Sequence, residues 1–337
     1  MHRLAGWGLH RIRRVIAELY GADPGGNVRE WLRRGKKPRF RPRTFEKSLF
    51  YHEAYEMALK LRAEHPDWGY KKVASELNRK LPIRVPAMTV YYWVTGRSMP
   101  NVTPLRLSRS TLPYIAYCMG VGCGDYRRSD GGLHVKDREF IEHYAKAYGM
   151  ATGVDIKTAS DQSKEGFWTT YESGGWIRSA LRTGLWRVFA DLDPVSWLKG
   201  LYDSEGCVSP ELSHRRRVLT RPMVKLTIGD SEVKELAKRK LKILGFSICE
   251  SHSCGGERVV KGRRVKFGEY WSLYLRGWKQ AEKFAGMIGF RVSYRREVLS
   301  DLLKLKSLPP KRRYRLWVQQ YEKVGGRWRK RRSRLLA

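Results

Sequence analysis

Leu198-Lys199-Gly200-Leu201-Tyr202-Asp203-Ser204-Glu205-Gly206 is the stretch that decides the fold. It is an apolar helical run with a glycine inside it and an acid five residues later. A glycine in a helix interior costs about 1 kcal/mol against alanine, and one is tolerated where a second backbone must approach closely. The same arrangement occurs earlier, in Leu112-Pro113-Tyr114-Ile115-Ala116-Tyr117-Cys118-Met119-Gly120-Val121-Gly122-Cys123-Gly124-Asp125-Tyr126. There Gly120 stands five residues before Asp125. The chain carries an internal repeat.

The residues downstream of each motif repeat as well. Asp137-Arg138-Glu139-Phe140 opens a helix running to Gly149, and Asp230-Ser231-Glu232-Val233 opens one running to Gly245. Aspartate suits the N-cap, an acid suits the first turn, and glycine suits the end. Strands are expected at Val154–Thr158 and Phe167–Tyr171 in the first copy, and at Phe246–Glu250, Arg258–Lys266 and Tyr270–Arg276 in the second. Helices at Trp176–Phe189 and Trp278–Ile288 close the copies. Val224, Leu226 and Ile228 alternate with Lys225 and Thr227, which predicts a sheet with one buried and one basic face.

Residues 108–306 resemble the LAGLIDADG homing endonuclease family. The second motif matches closely; the first is similar to the variant ending Gly-apolar-apolar-x-Gly-Asp-Gly and departs from it at Gly122, Cys123 and Tyr126. The resemblance implies an α+β fold of two pseudo-symmetric αββαββα repeats forming a DNA-binding saddle, with Gly120 and Gly200 where the motif helices pack. It implies a monomeric, site-specific double-strand DNA endonuclease with a long recognition site, its Mg2+ held by Asp125 and Glu205. Lys136, at the end of the first strand, falls where this family places a basic residue near the scissile phosphate; the second copy has Gly229 there. Asp203 is expected to cap a neighbouring helix. Physically, two unpaired carboxylates in a low-dielectric site repel each other unless a divalent cation shares the space. Two other functions fit parts of the chain. One is a non-cleaving transcription regulator of this fold, which would be expected to lack the acids that stand here. The other is an intron RNA maturase, since basic arms and surplus aromatics suit RNA.

Upstream, residues 46–105 read as three short helices: Glu46–Glu64, Tyr70–Leu77 and Ala87–Val94. They resemble a helix-turn-helix unit of the recombinase and transposase type, whose last helix enters the major groove. Thr89, Tyr91, Tyr92 and Arg97 are its candidate DNA contacts. Further candidates are Lys225 and the hairpin residues Arg258, Lys261, Arg263, Arg264 and Lys266, where cations alternate with valine. A basic arm (1–45) precedes this unit. The repeats occupy 106–193 and 194–306, and a basic tail (307–337) closes the chain; Trp317, Tyr321 and Trp328 interleaved in it leave a docked, partly helical segment and a solvated tail both open.

The 337 residues include 68 Lys plus Arg against 33 Asp plus Glu, a formal net charge of +35. Such self-repulsion needs a polyanion to offset it, and phosphate neutralisation with counterion release supplies one. No apolar run approaches the roughly 20 residues that cross a bilayer. Met1 to Arg14 is too interrupted by Arg and His for a signal peptide. A cytoplasmic, DNA-associated protein without a membrane partner is expected. The five cysteines lack paired CxxC spacing and read as small reduced core residues. Cys249, His252 and Cys254 are near neighbours without a fourth ligand close by.

Overall fold

The computed structural model describes residues 44–331 except 101, 128–131, 161–165, 172–174, 261–262 and 326. The basic arm over 1–43, Lys261 and the last six residues therefore lie outside the described residues. The fold is α+β with antiparallel sheets.

Three helices come first: α1 (Thr44–Glu64), α2 (Tyr70–Lys80) and α3 (Ala87–Val94). Ala54, Ala58, Val73, Leu77, Val90 and Trp93 form their own core, and Trp93 takes Tyr51 and Tyr55 edge-on at 5.4 and 5.8 Å. The long turn between α2 and α3 is held by Asn78. Its amide nitrogen donates to the Val85 carbonyl (3.0 Å) and its oxygen accepts from the Val85 N–H (2.6 Å). The unit is tied to the rest of the chain where the Leu105 N–H donates to the Ser48 carbonyl at 2.7 Å and Leu105 enters the main core.

The first repeat runs α4 (Leu112–Gly124), β1 (Tyr126–Arg127), β2 (Gly132–Val135), α5 (Arg138–Thr152), β3 (Thr158–Ser160), β4 (Trp168–Tyr171), α6 (Trp176–Thr183) and α7 (Trp186–Leu192). The second runs α8 (Pro194–Glu205), β5 (Gly206–Ser213), β6 (Val218–Ile228), α9 (Ser231–Ile243), β7 (Cys249–Ser253), β8 (Gly256–Val260), β9 (Arg263–Phe267), β10 (Tyr270–Arg276) and α10 (Trp278–Met287). Their four-stranded sheets have equivalent orders, β1-β2-β4-β3 and β5-β6-β10-β7. Asp137 accepts from the Phe140 N–H (3.2 Å), and Asp230 from Glu232 (2.9 Å) and Val233 (3.1 Å), the N-caps expected of both.

Several boundaries differ from the sequence reading. Val154–Lys157 is not strand; pairing begins at Thr158. The helix expected over 176–189 breaks at Gly184, whose φ of +75° ends a helix. Phe246 plugs the core instead of starting a strand, so β7 pairs with β10 only from Cys249. The Arg258–Lys266 stretch is a separate ribbon, β8 with β9. Residues 310–330, read as a basic tail, come after α11 (Ser293–Lys304) as α12 (Pro310–Gln320), β11 (Tyr321–Val324) and β12 (Arg327–Lys330). Trp317 and Tyr321 are 1% and 2% exposed, which seals this segment onto the core. The cysteines divide: Cys118 is buried, but Cys207, Cys249 and Cys254 are exposed on β5, on edge strand β7 and in the turn after it.

Helices α4 and α8 touch backbone to backbone. A Cβ on Gly120 would sit 2.0 Å from the Trp197 carbonyl oxygen, and one on Gly200 would sit 2.1 Å from the Tyr117 carbonyl oxygen. Each glycine faces the carbonyl three residues before the other, so the contact has two-fold pseudo-symmetry. Asp193 caps α8 by accepting from the Ser196 N–H at 3.0 Å, with Pro194 in the first turn. Gly200→Ala tests the contact. Helix propensity alone would stabilise by about 1 kcal/mol, yet the overlap is with backbone, so a net loss of about 2–3 kcal/mol is expected. A urea midpoint at or above the wild type contradicts this packing.

Candidate active site

The helix pair ends on two acids. Asp125 is the residue after α4, its N–H donating to the Val121 carbonyl at 3.1 Å, and Glu205 is the last residue of α8. A Cβ on Gly124 would lie 2.0 Å from Ser204 Oγ and 2.9 Å from Glu205 Cγ. That is how closely the two helix ends meet. Both acids are half-buried, and neither makes a salt bridge among the described residues. Burial pushes Glu205 up to about 7, helped by the charge of Asp125 and opposed by Arg295. Burial also raises Asp125, against the Ser204 hydroxyl beside it and the Arg295 and Arg327 guanidiniums.

Two oxygen-donor acids forced together with no salt-bridge partner among the described residues fit a hard divalent ion. Among the described residues no third His, Cys, Asp or Glu joins them. A cation held there would draw its other ligands from water and substrate, the habit of Mg2+.

Sequence reasoning missed the groups that fix this helix end. Asp203 is fully buried; it accepts from Tyr117 OH across the helix pair (3.0 Å) and from the Arg291 N–H (3.0 Å). It does not act as an N-cap, the role expected of it. Arg291 lies over the Tyr117 ring at 4.2 Å. Arg295 donates Nη1 to the carbonyls of Tyr202 (2.8 Å) and Asp203 (2.5 Å), satisfying groups the helix terminus leaves open. Both arginines come from some ninety residues downstream, so no local pattern announces them.

The remaining candidates scatter. Lys136 is exposed just after β2, with Nζ 5.1 Å from the Phe167 ring on which His134 stacks at 4.6 Å. No described contact joins it to either acid. Lys225 lies on the open face of the second sheet, opposite Cys207 and Tyr274 and 5.7 Å over the Tyr274 ring, with Arg276 over the same ring. Arg264 is exposed on β9, while Arg258, Arg263 and Lys266 are placed by backbone in the β8–β9 ribbon. On α3, Thr89 and Tyr91 are half-buried and Tyr92 is exposed; Arg97, just beyond, lies over the Tyr91 ring at 5.3 Å. His252 pairs with Glu269 at 2.6 Å, so Cys249, His252 and Cys254 do not form a ligand cluster. No described helix is long and apolar enough to cross a membrane.

No family model matches the sequence, and no curated protein matches it. Solved structures of the homing endonuclease I-DmoI are similar to it over about half its length. One, a complex with nicked target DNA and manganese, has 16% identity and a TM-score of 0.37, covering 54% of this chain and 97% of that one. Another, of mesophilic variants, has 16% identity and a TM-score of 0.35, covering 54% and 97%. A third, with DNA and manganese, has 16% identity and a TM-score of 0.32, covering 53% and 97%.

The elevated Glu205 carries a stability consequence. Its folded value of about 7 exceeds its ordinary 4.5, so ionisation costs more in the folded state than in the unfolded one. The contribution is intact below pH 4.5 and lost as pH rises through 7, about 3 kcal/mol in all. Metal-free Glu205→Gln is therefore expected to gain stability over the wild type between pH 5 and 8. Urea titrations with chelator at several pH values check this; a pH-independent difference contradicts it.

Proposed function

We propose that the chain is a site-specific double-strand DNA endonuclease of the LAGLIDADG type, with Mg2+ held by Asp125 of one repeat and Glu205 of the other. The observation that carries this reading is the acid pair itself. Two helices are packed through Gly120 and Gly200 so closely that two carboxylates must share one half-buried place with no salt-bridge partner among the described residues. A merely structural pair would gain by becoming amides, and a non-cleaving binder would have no use for them.

When bound, Mg2+ supplies Lewis acidity that lowers the pKa of water and offsets charge on the phosphate. The chain's own residues do the rest. Asp125 and Glu205 aim one carboxylate each at one strand, and Asp203, through Tyr117 and Arg291, keeps the helix ends from splaying. Lys225 and Arg276 face duplex DNA from the open sheet. The three-helix unit adds a helix-turn-helix contact through Tyr92 and Arg97, and Lys136 approaches the backbone near one scissile phosphate. Both repeats lie in one chain, so a monomer suffices on a long, asymmetric site.

The test is cleavage of a site selected from random duplex libraries in Mg2+. Glu205→Gln and Asp125→Asn are each expected to lose more than the roughly 10–100-fold that loss of an outer-shell partner costs, with binding retained in Ca2+. Wild-type cutting by Glu205→Gln would end the proposal.

A further inference from the structure

A cavity of ≈ 390 Å³ opens between the first repeat and the C-terminal segment, walled by Lys136, Arg138, Tyr294, Arg327, Trp328 and Arg329. Its charges are unevenly engaged. Arg138 pairs with Glu142 at 2.7 Å and lies over Trp168. Asp137 is spent on the Phe140 N–H, and Glu139 on the Ser293 N–H at 2.9–3.0 Å. Lys330 pairs with Asp301 at 2.9 Å, and Glu297, also in the wall, makes no ion pair among the described residues. Lys136, Arg327 and Arg329 make no ion pair among the described residues.

The cavity adjoins the acid pair by a continuous chain of contacts. Arg327 lies over the Tyr294 ring at 5.5 Å. Tyr294 OH accepts from Arg295 Nε at 2.8 Å, and Arg295 holds the carbonyls at the end of α8. The hairpin that carries Arg327 is built to hold it. Asp301 accepts from Tyr321 OH (2.8 Å) and Lys330 (2.9 Å). Trp317 stacks on Tyr321 at 4.1 Å and meets Trp328 edge-on at 5.5 Å. Gly325, at φ +57°, makes the turn. In the second repeat, Gly229 replaces Lys136, and a Cβ there would meet only the Glu269 carbonyl at 3.7 Å.

We propose that Arg327 of the C-terminal hairpin makes this cavity a phosphodiester-binding subsite serving one DNA strand only, as a second donor beside the Lys136 contact proposed above. A guanidinium presents a planar fork that grips a phosphate at two oxygens. Tyr294 beneath it limits the rotamers it must give up. The subsite rests on the DNA-binding reading above and adds a consequence: the strand on the Asp125 side depends on a residue for which the Glu205 side has no described equivalent.

The test uses the full chain with Arg327→Gln and Arg327→Lys. On the selected duplex, labelled on each strand, Arg327→Gln is expected to slow one strand about tenfold relative to the other. Arg327→Lys restores part of the difference, and the melting temperature stays at the wild-type value. On random-sequence duplex, the salt slope of binding is expected to fall by about 0.9, one phosphate contact. Equal slowing of both strands assigns Arg327 a structural role and overturns the subsite. So does an unchanged slope. If the wild type cuts no duplex, cleavage fails as a reading and the slope alone decides.

Discussion

The approach of α4 to α8 through Gly120 and Gly200 sets the geometry of everything around it. Side chains normally keep helix axes 8–10 Å apart. Here the would-be Cβ positions fall on the opposing carbonyl oxygens, so the two backbones are in direct contact. Removing side chains from the seam forfeits apolar burial there, and the flanking residues make it up: Tyr117, Met119, Trp197 and Leu201 are all fully buried. The same contact dictates that whatever ends the two helices must meet. The sequence ends both with an acid.

That placement stores unfavourable electrostatics, and its neighbours limit the damage without cancelling it. Arg295 bonds to carbonyl oxygens, not to the carboxylates, so it acts on them at a distance. Asp203, two residues before Glu205 but wholly buried, has its oxygens satisfied by Tyr117 and Arg291. Two acids of one helix end thus have opposite fates. Asp203 is bonded and structural, while Glu205 is left open toward Asp125. A site that had evolved only for stability would have closed both.

Much of this was legible along the chain because it is local. The five-residue spacing of glycine and acid, the aspartate N-caps at 137 and 230, and the alternation of Val224, Leu226 and Ile228 with Lys225 and Thr227 depend on near neighbours. The parts that were not legible depend on distance. Arg291 and Arg295 look like ordinary surface cations until α11 is folded against α8. Phe246 carries strand propensity but is claimed by the core. For residues 310–330 the charge left a solvated tail open and the interleaved Trp317, Tyr321 and Trp328 a docked one, and the burial of Trp317 and Tyr321 decides for the second. In that segment, apolar burial outweighs charge.

The two repeats share a strand order and differ in the residues they set on it. On the open face of the second sheet stand Lys225 and Arg276 with Tyr274 between them. The matching face of the first sheet carries His134, Ala159 and a buried Thr169, with Arg127 falling on it by register. On the rim of the first half stand Lys136 and, from the C-terminal hairpin, Arg327. A homodimer of one repeat would have to show the same surface twice. Joining both halves in one chain removes that requirement. The constraint that survives is the one the backbone contact imposes: the helices must pack through glycine and bring their ends together, while the faces of the two sheets are free to diverge.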